Sequence, residues 1–98
     1  MESKFSNMAL EVIAAKPEID STLLEVVYRV STKIDSDLSR LELMMNGSGY
    51  QGMDPAASVY RSAIDVLQLF NGLFDDNKPL KTLFDEMWSA VYEYESKV

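Results

Sequence analysis

Pro79-Leu80-Lys81-Thr82-Leu83-Phe84-Asp85-Glu86-Met87-Trp88-Ser89-Ala90-Val91-Tyr92-Glu93-Tyr94 settles the fold class of this chain. Leu80, Leu83, Phe84, Met87, Trp88, Val91 and Tyr94 recur at intervals of three and four, the spacing that lines up one face of an α-helix. Charged residues occupy the intervening positions, so the stretch predicts an amphipathic helix over about residues 79–96 that buries one side. Asp75-Asp76-Asn77-Lys78-Pro79 in front of it is a turn followed by a helix start.

Working back along the chain, the preceding segment, about 55–74, is apolar around most of its circumference, with Ser58, Arg61, Asp65, Gln68 and Gly72 as a thin polar edge. That pattern predicts either the most buried helix or one that covers a second face with a partner. It opens on Asp54-Pro55, an N-cap followed by proline at the first helical position. Before it, Asn46-Gly47-Ser48-Gly49-Tyr50-Gln51-Gly52 places three glycines within six residues and must interrupt helix. A long second segment, about 21–45, carries Leu23, Val27, Val30, Ile34, Leu38, Leu41 and Met45 as a narrow seam. Either Asp20 or Ser21 caps it, and Thr22 with Glu25 has capping-box spacing. The first segment, about 3–15, places Phe5, Met8, Ala9, Val12 and Ile13 on one face and stops at Lys16-Pro17, because proline disfavours helical geometry in the residue before it. No stretch alternates with the period of a strand. Short connections make helices antiparallel neighbours. The expected fold is therefore all-α, a single antiparallel four-helix bundle spanning 1–98, with helices about 3–15, 21–45, 55–74 and 79–96. The first segment is too short to cover the second, which leaves Leu43, Met44 and Met45 without an obvious cover unless the glycine-rich loop with Tyr50 and Met53 lies over them.

Composition narrows the function. Sixteen acidic residues against nine basic give a net charge of −7. The excess is spread evenly, with eight acidic and five basic residues before Asp54 and eight and four from there on. Such a field repels phosphate backbones, so direct nucleic-acid binding is not expected. There is no apolar run of the roughly 20 residues that a membrane span needs. The amino terminus lacks the basic start, apolar middle and cleavage site of a signal peptide, which gives a cytoplasmic reading. With no histidine and no cysteine, the commonest nucleophile, base and metal-ligand chemistry is missing, and disulfides are impossible.

The remaining motifs read as structure. Gly47-Ser48-Gly49-Tyr50-Gln51-Gly52 spells the dinucleotide fingerprint but lacks the strand that must precede it. Asp75, Asn77 and Glu86 sit at positions one, three and twelve of a calcium loop, yet Pro79 and Leu80 stand where an oxygen ligand and the turn glycine belong. Asn46-Gly47-Ser48 is a glycosylation sequon only by spelling. Asp35 with Asp37 and Asp75 with Asp76 read as solvated charge rather than as a facing carboxylate pair, and no serine is spaced to share a buried face with a lysine. The chain is not expected to be an enzyme or to hold a cofactor or metal.

Leu10, Tyr28, Leu43 and Tyr92 fall at the edge of, or opposite, the core faces, and Met44, Tyr50 and Met53 cluster around the loop. Aromatic and thioether side chains suit contact surfaces. These seven residues are the expected partner-binding set. The function they imply is a small acidic module that binds another protein, a basic one included, by occupying its surface, in the manner of an inhibitor, an antitoxin or immunity protein, or a chaperone. The alternatives are a structural homo-oligomer, a homodimer included, and a nucleic-acid mimic that blocks a DNA- or RNA-binding protein. Four antiparallel helices in about 100 residues with a long second helix resembles the cytoplasmic bacteriocin immunity proteins of the enterocin A type. The resemblance spans the chain and implies the fold alone. It carries no diagnostic motif, so no functional residue is transferred.

Overall fold

A computed structural model describes residues 4–15, 18–45 and 54–95, with the backbone alone at Met45, Asp54 and Pro55. The chain forms α1 (Lys4–Ala14), α2 (Ser21–Met45), α3 (Asp54–Gln68) and α4 (Lys78–Tyr92). It is a small all-α four-helix bundle. Each helix packs against its neighbours in sequence, α4 closes the ring against α1, and α2 also touches α4 across the centre. Its extents are 46 × 25 × 19 Å, and the long axis reflects α2, whose 25 residues span about 37 Å. The breaks expected at Lys16-Pro17 and Asn46–Gly52, and the outer ends expected at Ser3 and Ser96, lie outside the described residues.

One core joins all four helices. Phe5 and Ala9 enter from α1, Val27, Val30 and Ile34 from α2, Ala63 and Leu67 from α3, and Leu80, Leu83, Phe84, Met87 and Val91 from α4. Those of α1, α2 and α4 fall on the stripes that the periodicity predicts. Trp88 and Leu38 pack only partly against them, and Tyr94 is half-buried. The cap of α2 is Asp20, whose carboxylate accepts the Thr22 amide at 2.8 Å. Asn77 caps α4 by accepting the Leu80 amide at 3.2 Å, so the would-be calcium-loop residue serves as a helix start. Helix α4 gives way after Tyr92 to a tight turn in which the Tyr94 amide bonds back to Val91.

Three expectations require correction. Helix α3 stops at Gln68 and does not reach residue 74. Beyond it the amides of Leu69, Phe70, Asn71 and Leu73 bond three residues back, tightening the chain. Gly72 then takes φ 79°, the left-handed conformation that ends helices. Phe70 and Phe74 still turn inward, each 5.3 Å from the Phe84 ring, while Leu69 and Leu73 are left outside, 78% and 55% exposed. Nor is α3 the most buried helix: its described side chains contribute Ala56, Ala63 and Leu67 to the interior, fewer and smaller than those of α2 or α4. Finally, Asp35 and Asp37 are buried, not solvated.

Candidate functional site

The start of α1 has no acidic residue of its own in the first turn, yet its orphan amides need acceptors. Asp35 supplies them from α2. Its carboxylate accepts the Phe5 amide at 2.9 Å and the Ser6 amide at 2.8 Å, and the Ser6 hydroxyl donates to the same group at 2.7 Å. Ser6 Oγ also lies 3.2 Å from Thr32 Oγ1. A negative charge at a helix amino terminus is electrostatically favoured as well. Two residues on, Asp37 accepts Lys33 Nζ at 2.6 Å and faces Arg40 at 3.9 Å. Lys33 Nζ donates in turn to Ser62 Oγ of α3 at 3.0 Å. A serine and a lysine do meet, then, but across an exposed contact in which the lysine is already held by a carboxylate. That arrangement ties α2 to α3. Among the described residues no group of three or more carboxylates is placed to hold a metal ion.

Fixing the beginning of α1 against α2 leaves a cleft of about 540 Å³ where α1 starts and α4 ends. Its lining is apolar at Phe5, Leu38, Leu43 and Ala90, acidic at Asp35, Glu42 and Glu93, and completed by Lys4, Ser39 and Tyr94. The Lys4 ammonium sits 5.3 Å from the centre of the Phe5 ring, over its face. Burial pushes the Tyr94 phenol above its ordinary value of 10.0, and the carboxylates of Glu42 and Glu93 push it further the same way. Both carboxylates therefore bear on this one phenol. Along the α3–α4 seam, Tyr92 stacks on Trp88 at 5.1 Å. The Tyr60 phenol is raised chiefly by burial, then by Glu95 and Tyr92.

Of the residues expected to bind a partner, Leu43 lies in the cleft, 56% exposed, and Met44 beside it is half-buried. Leu10 on α1, Tyr28 on α2 and Tyr92 on α4 are exposed but do not line the cleft. Tyr50 and Met53 lie outside the described residues. The structure thus spreads the described members over several faces and brings only Leu43 into a concave site. Sequence reasoning missed Leu69 and Leu73, which a continuous third helix placed on its apolar side. The signal was the dipeptide Asn71-Gly72, a turn marker. It also missed Glu42 and Glu93, which fall 51 positions apart and meet only through the packing of α2 beside α4. Among the described residues no helix is long and apolar enough to cross a membrane. No family model, curated protein or solved structure matches this chain.

Proposed function

We propose that this chain is a small acidic protein-binding module that acts by occupying a surface of another protein, in the manner of an inhibitor, an antitoxin or immunity protein, or a chaperone. One observation carries the reading: Leu10, Tyr28, Leu43, Leu69, Leu73 and Tyr92 stand exposed on a surface with a net charge of −7. Scattered apolar exposure is ordinary. Here, however, six large side chains stand out, Leu10, Tyr28, Leu43 and Tyr92 from helices whose other residues form the core and Leu69 and Leu73 from the turns after α3. Large apolar and aromatic groups at a protein surface are what interfaces use, and surrounding charge sets partner choice and encounter rate.

Affinity capture from the native host's lysate with the tagged chain, run at low and at high salt and read by mass spectrometry, tests it. A stoichiometric partner protein is the expected result. Loss of that partner at high salt assigns the contact to charge, as an acidic inhibitor or nucleic-acid mimic requires. Retention assigns it to the apolar residues, as a chaperone or immunity-type contact requires. Recovery of the chain alone overturns the reading in favour of a homo-oligomer.

A further inference from the structure

The cleft between α1, α2 and α4 combines apolar side chains with an excess of carboxylates, Asp35, Glu42 and Glu93 against Lys4. Asp35 faces it but is engaged by the Phe5 and Ser6 amides. Glu42 and Glu93 are exposed, and among the described residues neither forms an ion pair. Arg40 faces Asp37, Lys33 is bound to it and Lys81 is paired with Asp85, while Lys4 lines the cleft over the Phe5 ring, so the lining sets three carboxylates against one ammonium. Among the described residues this leaves an excess of negative charge beside an apolar concavity, which raises the local concentration of cations. A purely polar cation would leave Leu38, Leu43 and Ala90 facing water, whereas a purely apolar ligand would desolvate carboxylates without pairing them. A second copy of this chain would bring the same acidic excess to the contact.

We infer that this cleft receives a cationic amphipathic segment of a partner protein, an apolar side chain seating against Leu38, Leu43 and Ala90 while flanking Lys or Arg side chains pair with Glu42 and Glu93. The inference rests on the protein-binding reading above and names the chemistry of the partner. It also gives Leu43 a role that Leu10, Tyr28 and Tyr92 do not share, since among these four it alone lines the concavity.

The test titrates ¹⁵N-labelled protein with a 14-residue helical peptide of leucine and lysine, beside a lysine–serine peptide of equal length and charge. Amide shifts should concentrate at Leu38–Leu43 and Ala90–Tyr94, and the lysine–serine peptide should bind at least tenfold more weakly. The double variant Glu42→Lys with Glu93→Lys, and separately Leu43→Lys, should each lower affinity at least tenfold. Glu11→Lys with Asp65→Lys, which changes net charge equally but lies on exposed sites outside the cleft, should lower it less than threefold. Circular dichroism establishes that each variant is folded. Shifts centred on Leu69 and Leu73, equal binding of both peptides, or equal loss in the remote charge-reversal variant would each overturn the inference. Lysate capture separates the two levels. A partner that the Leu43→Lys variant still retains overturns the cleft while leaving the module intact, and the absence of any partner for the unaltered chain removes both.

Discussion

Asp35 illustrates how one side chain can cap a helix from a distant part of the chain. Its carboxylate accepts three donors from the first turn of α1, a turn with no acidic residue to start it. Replacing it with alanine leaves two buried amides without acceptors and the Ser6 hydroxyl with Thr32 alone, which should cost about 1–3 kcal/mol. Asp35→Asn, which keeps one carbonyl acceptor, should recover part of that. Hydrogen exchange checks the assignment: protection should fall first in α1, whereas a uniform loss across the bundle would assign Asp35 a general packing role. A second residue-scale prediction concerns Tyr94. Its phenol should ionise above the ordinary value of 10.0 when absorbance near 295 nm is followed with pH, and Glu42→Gln should bring it partly back, because burial is the larger cause. The sign follows from linkage. Ionisation is easier in the unfolded chain, so this tyrosine's contribution is intact below pH 10 and is lost as pH rises beyond it. Neither role was legible in the sequence. Asp35 stands next to Ile34 on the buried seam of α2, but only the approach of α1 distinguishes a capping carboxylate from a solvated one.

At the scale of the element, periodicity was a good guide wherever one side of a helix meets one core. Helices α1, α2 and α4 turn most of the residues that their spacing selects toward the core, with Met8, Val12, Leu23, Leu38 and Trp88 only partly covered and Ile13 outside it, because amphipathic helices satisfy themselves with a single apolar interface. It failed on the third segment, where Leu69 and Phe70, and again Leu73 and Phe74, are adjacent in sequence and read as one broad apolar surface. A tighter, three-residue repeat beyond Gln68 separates them, sending the phenylalanines to Phe84 and the leucines outward. Gly72 makes that redirection possible. An alanine at φ 79° should cost about 1–2 kcal/mol, even though its Cβ would meet nothing closer than Asp75 Oδ2 at 3.7 Å. Chemical denaturation of Gly72→Ala checks this: the midpoint should fall with the slope unchanged, since the cost is conformational strain and the buried surface stays the same.

For the molecule as a whole, the interior and the exterior should answer mutation differently. Leu83 is fully buried in the common core, so Leu83→Ala should cost about 2–5 kcal/mol. Leu43→Lys and Tyr92→Lys, at exposed sites, should stay within about 0.5 kcal/mol of the parent in thermal melts. A drop of several degrees in either lysine variant would place that side chain in the core and remove it from any contact surface. The fold class was readable because helical spacing is a local property of the chain. The cleft was not, because it arises where the beginning of one helix, the far half of a second and the end of a fourth converge, and no local pattern encodes that meeting.

The cap on α1 has one further consequence, in time rather than in space. Asp35 lies 29 residues downstream of Ser6. On a ribosome adding about 5–20 residues per second, that carboxylate emerges roughly 1.5–6 seconds after the turn it stabilises. An isolated helix of 11 residues is marginal in water. Helix α1 therefore acquires its start only well after its own residues are made, later than α2 receives its cap from Asp20, and until α2 has formed, the apolar face of α1 with Phe5 and Ala9 is on offer to whatever chaperone stands at the tunnel exit.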